Sequence, residues 1–569
     1  MVILGALILS IWVSACGDDD TLPADGVFAE VEIRYSMPDR FGLDENGNSL
    51  PDLPNTCAYV NNVTSGSCPP DEATFTLNLR SRADVLVRSG GETVERHRVR
   101  ASTWEWEITG GGLTEPITYQ SSSGTWSARL PEGTYDITAT VDGTYGVGDS
   151  IVGTATRSIT VRDLLIVSIG DSYASGEGNP ERRGATSLGS LTIGGFPFDV
   201  SLNATWADDG VSAGYPALST AQGLDHQRAH RSTISGPAQA ALSIERADDR
   251  FSVTFVSLAT SGATIDEGLL GPSDGKEPFL SLIYELAPLE PQIVHLADIA
   301  GNREIDFLVI SIGGNDMGFA NVVKALMLHG GFIDWGPSNF VCAGESDLTL
   351  CAIDGAIRSG NWNIVETAFI GGPTFDELDM KNGPGLDSLS SLYDKLNDHL
   401  ADLNVGNVLI TTYPDPTQIG EPGALDYCDR ALGGITSLGE LDQYELAWAR
   451  SRALLPLNTT IIESAQAHGW TVIGSRFGIY RGHGLCGDPP PYEFGAYPGN
   501  RYPAELVPWP TADSLRWFRN ARESSEIQGG ERSSTLGTLH PNEFGHKEIG
   551  RLLTEHIMAL IRLAQLFEG

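Results

Sequence analysis

The sequence predicts a large α/β domain with a central parallel sheet, preceded by a smaller module of antiparallel strands. From residue 163 onward, short apolar runs rich in β-branched residues alternate with segments of helical periodicity. That alternation is typical of a parallel sheet with helices on both faces. Residues 27–162 instead contain short stretches of alternating polar and apolar residues separated by turn-rich segments, a pattern that favours an antiparallel sandwich. We therefore expect domains at 27–162 and 163–569.

Five apolar runs of the second domain are predicted to be buried strands, because each is short and bounded by small polar residues. They cover residues 164–169, 251–258, 307–312, 408–413 and 470–473. Apolar residues also recur at helical spacing before the fourth run and at the C-terminus. These residues are Leu389, Leu392, Leu396 and Leu403 in one segment, and Ile549, Leu552, Leu553, Ile557 and Leu560 in the other. Five parallel strands alternating with helices predict a three-layer, flavodoxin-like sandwich.

The N-terminal module shows period-two alternation around Ile33, Leu77, Trp106 and Ile137. Several short strands at such spacing predict a β-sandwich. The segment WSARLPEGTY, residues 126–135, resembles a hairpin of bacterial Ig-like modules. An Ig-like module can be a spacer or can bind a polymer, and the sequence leaves both roles open.

The charge balance excludes one class of partner. The chain of 569 residues has a formal net charge of −38. Nucleic-acid binding through phosphate contacts requires clustered Lys and Arg, so no nucleic-acid partner is expected. A strongly acidic surface fits a soluble exported protein.

The N-terminus predicts export from a bacterial cell. Residues 3–15 form a short apolar run, and Val13-Ser14-Ala15-Cys16 resembles a lipoprotein lipobox. The resemblance implies a signal peptide at 1–15, a lipid-modified Cys16 and a tether at 16–26, with the membrane contacted only through the lipid. The alternative is an ordinary signal cut after Ala15, which would release a secreted protein.

Six cysteines remain once Cys16 is set aside, an even number that suits an oxidising compartment. Six cysteines permit 15 pairings. Proximity in sequence favours three of them: Cys57–Cys68, Cys342–Cys351 and Cys428–Cys486.

An oxygen-rich loop in the N-terminal module is a candidate calcium site. Side-chain oxygens alternate at Asp44, Asn46, Asn48 and Asp52, as in a calcium-binding loop. The expected glycine and the final bidentate glutamate are absent, so a polar turn without metal is the alternative.

Four motifs lie where parallel strands would place them at one crevice. Gly-Asp-Ser ends at Ser172, Thr-Ser-Gly-Ala contains Gly262, and Gly-Gly-Asn-Asp contains Asn315, each just after a predicted strand. His540 begins the fourth motif, His-Pro-Asn-Glu, before the C-terminal helix. Ligands of open α/β sheets bind outside the carboxyl ends of the strands. These loops are therefore expected to converge.

In order and composition, these motifs resemble those of the SGNH, or GDSL-type, hydrolases. The resemblance implies that Ser172 is a nucleophile, that His540 is its base, and that Ser172 N–H, Gly262 N–H and Asn315 form an oxyanion hole. Other candidates are nearby: Ser175 and Ser261 as nucleophiles, and His483 and His546 as bases. We expect Asp171 and Asp316 to have structural roles.

One position departs from the family pattern. Many SGNH enzymes carry Asp three residues before the histidine, where this chain has Gly537. The departure, the GDSYASGEG form of the first motif and the cysteines resemble a secreted subgroup of Streptomyces esterases, in which a backbone carbonyl orients the histidine. We expect such a Ser–His dyad, with Glu543 capping the last helix. The weaker support of the imidazolium leads us to expect a pH optimum above that of a full triad.

The resemblance implies a serine esterase that needs no cofactor or metal for catalysis. Lipid or short-chain acyl esters and the O-acetyl groups of polysaccharides are the alternative substrates. A surface adhesin with a degenerate hydrolase domain is the competing class of function, although all four motifs are intact.

Overall fold

The computed structural model describes most of both predicted domains. The described residues are 26–41, 74–180, 190–193, 196–199, 204, 206, 226–276, 287–300, 304–317, 388–419, 426–427, 430–432, 440–475, 479–480, 482–488, 515–528 and 536–568. Cys16, the candidate calcium residues Asp44, Asn46, Asn48 and Asp52, and Cys57, Cys68, Cys342, Cys351 and Cys428 lie outside them. The described residues fall into two compact units, 26–38 with 74–162 and 39–41 with the residues from 163 onward.

The first unit consists of two antiparallel sheets. Its strands are β1 (Gly26–Ser36), β2 (Phe75–Ser89), β3 (Glu92–Arg98), β4 (Arg100–Gly110), β5 (Ile117–Ser121), β6 (Thr125–Leu130), β7 (Gly133–Tyr145) and β8 (Asp149–Val161). One sheet has the order β1-β2-β3, with β6 also pairing with β2, and the other has the order β5-β4-β7-β8. Alternate residues of β2 and β7 are buried, as their period-two pattern predicts.

The second unit is built on a five-stranded parallel sheet. Its strands are β9 (Asp163–Gly170), β10 (Ser190–Ile193), β11 (Phe196–Asp199), β12 (Ser252–Ser257), β13 (Ile305–Ser311), β14 (Val405–Thr411), β15 (Gln418–Ile419), β16 (Asp426–Tyr427), β17 (Arg430–Leu432), β18 (Glu440–Asp442) and β19 (Thr471–Ile473). The parallel sheet has the order β12-β9-β13-β14-β19, and the other strands form antiparallel pairs. This is the flavodoxin-like order, so the predicted strands and their arrangement are confirmed.

Helices cover both faces of the parallel sheet. They are α1 (Ser172–Ser175), α2 (Gly236–Ala247), α3 (Gln292–Ala300), α4 (Leu389–Ala401), α5 (Gln443–Trp448), α6 (Leu455–His468), α7 (Ala521–Gln528) and α8 (Glu543–Glu568), and a π-helical segment, Ala449–Leu454, joins α5 to α6. Within the described part of the chain, no helix is long and apolar enough to cross a membrane.

Two hydrophobic cores make the second unit a three-layer structure. Leu164 and Ile166 of β9 face a core that includes α2 and α8, whereas Leu165 and Val167 face a core that includes α3, α4 and α6. Successive residues of a strand point to opposite faces, so an entirely apolar strand supplies both cores.

The helical periodicity is largely confirmed. Leu389, Leu392 and Leu396 are buried on α4, and Ile549, Leu553 and Ile557 on α8. Leu403 lies beyond the end of α4, while Leu552 and Leu560 pack at the rim of the core.

Residues 39–41 belong to the second unit, although the sequence placed them in the sandwich. Glu245 accepts hydrogen bonds from Arg40 N at 2.5 Å and Phe41 N at 3.0 Å. The Phe41 ring stacks on Phe255 with centroids 5.7 Å apart. These contacts with α2 and β12 explain the assignment.

Candidate active site

Ser172 lies at the first residue of α1, directly after the central strand β9. Asp171 is the N-cap of this short helix, and its Oδ1 accepts a hydrogen bond from Tyr173 N at 3.0 Å. The expected structural role of Asp171 is therefore found. The cap engages the N–H of Tyr173 rather than that of Ser172.

His540 lies in the turn before α8, with its ring against the serine. His540 Nε2 is 2.7 Å from Ser172 Oγ. On the other side of the ring, Nδ1 lies 3.1 Å from the carbonyl oxygen of Thr538. A carbonyl can only accept, so Nδ1 carries the proton and Nε2 is free to accept one from the hydroxyl. A backbone carbonyl thus orients the imidazole, as the Streptomyces-type resemblance implied.

The segment after Ser172 holds the histidine turn in place. Tyr173 OH donates to the carbonyl of Leu539 at 2.8 Å, and Asn179 Nδ2 donates to the carbonyl of Pro541 at 2.8 Å. These bonds fix the residues on both sides of His540. Leu539 has a φ of 64°, an uncommon value for a residue with a side chain. The surrounding contacts therefore maintain a strained turn.

Arg519 joins the same two segments from the protein interior. It is fully buried and donates to Gly178 O at 3.0 Å, Asn179 Oδ1 at 2.9 Å and Glu543 Oε2 at 2.7 Å. The expectation that Glu543 caps α8 is wrong. Asn542 Oδ1 accepts from Phe544 N at 3.0 Å instead, and Glu543 neutralises the guanidinium.

Gly262 and Asn315 lie in two loops that are hydrogen-bonded to each other. Asn315 Nδ2 donates to the Ala263 carbonyl at 2.9 Å, and Asp316 Oδ1 accepts from Ile265 N at 2.9 Å. Gly262 has a φ of 80°, a conformation that favours glycine. An amide NH₂ has two hydrogens, so Asn315 retains a donor for another acceptor.

Tyr413 connects Asp171, beside Ser172, to the Asn315 loop, and no functional role was predicted for it from the sequence. Its hydroxyl donates to Asp171 Oδ2 and accepts from Gly314 N, the latter at 2.8 Å. Burial raises the pKa of Asp171 to about 7, although the hydrogen bond from Tyr413 acts in the opposite direction.

A buried Glu177–His230 pair lies behind the serine and was also not identified from the sequence. Glu177 Oε2 is 2.7 Å from His230 Nδ1, and Gln528 Nε2 donates to Oε1 at 2.6 Å. Trp206 stacks on the His230 ring with centroids 4.4 Å apart. Burial by itself would raise the pKa of Glu177, but His230 and then His540 and Ser261 outweigh it and lower the pKa to about 2. Glu177 is therefore an anion near His540.

The pKa of His540 is lowered from its ordinary value, mainly because burial disfavours the imidazolium, although Glu177 acts against this. A lowered pKa leaves the imidazole neutral at pH 7 and extends its neutral range toward lower pH. This direction does not support a pH optimum above that of a full triad, and the comparison with a triad stays a prediction.

The alternative candidates have other surroundings. His546 is buried and accepts from Gly236 N at 3.1 Å, and burial lowers its pKa to about 3. His483 donates to Leu515 O at 2.7 Å and stacks on Trp517. Ser175 donates to Ser172 O at 3.3 Å, and Ser261 is buried.

Among the six cysteines expected to form disulfides, only Cys486 lies within the described residues. Cys486 is disulfide-bonded, and Cys428 lies outside the described residues. The pairing of Cys428 with Cys486 therefore stays a prediction.

No protein-family model and no curated protein matches the chain. Among solved structures it is similar to an extracellular lipase from Streptomyces rimosus, at 18% identity over 70% of this chain and 99% of that chain, with a TM-score of 0.33. It is also similar to phospholipase A1 from Streptomyces albidoflavus NA297, at 17% identity over 70% of this chain and 98% of that chain, with a TM-score of 0.32. Identities this low transfer neither a residue role nor a substrate.

Proposed function

We propose that this protein is an SGNH-type serine esterase that hydrolyses carboxylic esters through an acyl-Ser172 intermediate. The observation that carries the proposal is the contact of 2.7 Å between Ser172 Oγ and His540 Nε2. A nucleophile and a base within hydrogen-bond distance, with the base oriented by a third group, form the arrangement that activates a serine hydroxyl.

The reaction would proceed in two halves. Ser172 Oγ attacks the ester carbonyl carbon while His540 Nε2 takes the hydroxyl proton. Collapse of the tetrahedral intermediate breaks the bond to the alcohol, which leaves with that proton and produces acyl-Ser172. A water molecule then attacks the acyl group, again losing its proton to Nε2. The acid leaves, and Ser172 Oγ recovers the proton.

The negative charge of each tetrahedral intermediate would fall on the former carbonyl oxygen. Ser172 N–H, Gly262 N–H and Asn315 Nδ2 are the proposed donors to it. Donors fixed before the reaction stabilise this charge without a reorganisation cost. The hydrogen bonds of Asn315 and Asp316 to the Gly262 loop support this role, because they hold two of the three proposed donors together.

We further propose that the protein is exported, with a lipid-modified Cys16 as the anchor. We favour lipid or short-chain acyl esters as substrates over the O-acetyl groups of polysaccharides. Assays of both ester classes distinguish the two alternatives. An Ig-like sandwich is our proposal for the first unit. The bond of 2.9 Å from Tyr135 OH to the Pro131 carbonyl supports it, since Ig-like folds contain a similar tyrosine corner.

The first test is hydrolysis of p-nitrophenyl esters from acetate to palmitate, beside release of acetate from an acetylated polysaccharide. Ser172→Ala should reduce turnover by about 10³-fold or more, because it removes the hydroxyl that contacts His540 Nε2. Thermal unfolding should change little. Ser175→Ala is the matched control and should stay within about threefold of the natural protein, since Ser175 does not contact His540. Full activity in Ser172→Ala, or no hydrolysis of any ester by the natural protein, would reject the proposal.

A further inference from the structure

A lysine side chain lies directly against the proposed oxyanion-hole glycine. A Cβ atom placed on Gly262 would be 2.0 Å from Lys276 Nζ and 2.2 Å from its Cε. The ammonium group therefore occupies the space that a side chain at position 262 would take. None of the described carboxylates forms an ion pair with Lys276.

The backbone of Arg228 and Ala229 explains why Lys276 is there. The carbonyl of Arg228 accepts from Lys276 N at 2.8 Å, and the next carbonyl, of Ala229, accepts from Ser261 N at 2.9 Å. Two adjacent carbonyls thus bind the residue before Gly262 and the main chain of Lys276. The side chain of Arg228 adds a bond of 3.1 Å to the Asp274 carbonyl.

Gly275 permits this close approach. It has a φ of 73°, and a Cβ atom there would lie 2.9 Å from the Arg228 carbonyl oxygen. A side chain at position 275 would push the segment away from Arg228, and Lys276 with it. Lys276 therefore lies beside Gly262 because of a built main-chain arrangement and not only because its side chain is long.

The positive charge of Lys276 contrasts with the negative net charge of the whole chain. A net charge of −38 repels anionic substrates, but exposed charges are screened beyond about 8 Å in physiological salt. The ammonium of Lys276 lies beside Gly262, a proposed oxyanion donor, and charges separated by less than that length are screened much less. Lys276 can therefore attract an anionic group locally, although the protein as a whole does not.

Resting on the proposed esterase function, we infer that Lys276 selects esters that carry a negatively charged group close to the scissile carbonyl. Such a group can be a phosphate on the alcohol side, as in glycerophospholipids, or a carboxylate on the acyl side. The ammonium would bind this group in both the ground state and the transition state, which makes Lys276 a specificity-determining residue.

The test compares matched neutral and anionic esters. p-Nitrophenyl butyrate is paired with mono-p-nitrophenyl succinate for the acyl side, and dihexanoylglycerol with dihexanoylglycerophosphate for the alcohol side. Lys276→Met should lower kcat/KM for the anionic member of at least one pair by about tenfold, and for the neutral members by less than about threefold. The pair that responds identifies the source of the anionic group.

Lys395→Met is the matched control, because Lys395 forms a surface ion pair of 2.5 Å with Asp266 in the same loop region. It should leave the preference unchanged. Equal losses for neutral and anionic esters in Lys276→Met would overturn the inference, since the ammonium would then act on every substrate alike. Unfolding temperatures of both variants identify loss of the fold.

A binding measurement separates this inference from the proposed function. Calorimetry measures the binding of hexyl phosphate, and of hexanoate together with a succinate monoester. Both are titrated into Ser172→Ala and into Ser172→Ala/Lys276→Met, because the measurement does not depend on turnover. Binding that weakens about tenfold on loss of Lys276 supports the inference even if the natural protein hydrolyses no ester. Binding that is absent, or equal in both variants, contradicts it.

Discussion

His540 acquires its properties from its immediate neighbours. The Thr538 carbonyl at 3.1 Å fixes the position of the ring proton, and burial lowers the pKa of the imidazole. Glu177 raises that pKa and His230 lowers it, with the larger effect from Glu177. We therefore infer that the buried pair adjusts the pKa of His540, and we regard Glu177 as a positioning residue.

Glu177→Gln should move the acidic limb of the kcat/KM profile to lower pH. The substitution removes the negative charge that raises the pKa of His540, and the opposing effect of His230 is smaller. The acidic limb of kcat/KM reports the pKa of the base in the free enzyme. Glu526→Gln, at an exposed ion pair with Arg522, is the control and should not shift the limb. A loss of activity with an unmoved limb would indicate a purely structural role for Glu177.

At the scale of secondary-structure elements, the site depends on how the loop before α8 is held against the segment after α1. Arg519 donates to both Gly178 and Asn179 of that segment and forms an ion pair of 2.7 Å with Glu543. Arg519 N also donates to the His540 carbonyl at 2.8 Å. The segments that carry the proposed nucleophile and the proposed base are thus connected through one buried guanidinium.

Arg519→Met should destabilise the protein by about 3–5 kcal/mol, because it leaves the buried Glu543 carboxylate without its partner. Arg522→Met is the control. The ion pair that Arg522 makes with Glu526 is largely exposed, and solvent screens such pairs, so this substitution should change the stability little. Denaturant unfolding measures both. Equal effects of the two substitutions would contradict the role given to Arg519.

Glu543→Gln distinguishes this role from a catalytic one. It keeps a hydrogen-bond acceptor for Arg519 but removes the charge, so stability should fall while the pH profile of activity keeps its shape. A collapse of activity with unchanged stability would instead make Glu543 the orienting carboxylate of a triad, contrary to the contact with Thr538.

At the scale of the whole molecule, folding buries the carboxyl groups of Asp171 and Asp316 in loops that follow strands of the parallel sheet. Their burial links the stability of the protein to pH. Burial raises the pKa of Asp171 to about 7 and that of Asp316 to about 6, from 3.8 in both cases. A group whose pKa is higher in the folded state binds its proton more tightly there. Its contribution to stability is complete below pH 3.8 and is lost as the pH rises through the folded-state pKa.

Asp171→Asn should therefore flatten the pH dependence of the unfolding temperature between about pH 4 and pH 7. Asparagine resembles the protonated carboxyl at every pH and keeps an oxygen for Tyr173 N. The natural protein should lose more stability than the variant over that interval. Asp402→Asn, at an exposed carboxylate at the end of α4, should follow the natural protein. Parallel curves for Asp171→Asn and the natural protein would show that Asp171 does not titrate in this interval.

Local sequence was sufficient to predict the parallel sheet, most of the helical faces and the convergence of the motifs at Ser172, Gly262 and Asn315. Those features depend on local periodicity and on loops that directly follow strands, and both can be identified along the chain. The sequence also predicted a Ser–His dyad, because Gly537 occupies the position, three residues before His540, where many SGNH enzymes have an aspartate.

The groups that surround Ser172 and His540 depend on the tertiary fold and could not be predicted from the sequence. Every residue has a carbonyl, so no residue type marks Thr538 as the acceptor for His540. Glu177 meets His230 across 53 positions and Arg519 meets Asn179 across 340, separations at which periodicity carries no information. Lys276 reaches Gly262 through main-chain bonds to Arg228 and Ala229, which depend on backbone geometry rather than on side-chain identity. Packing brings these groups together only after the sheet and its loops have formed.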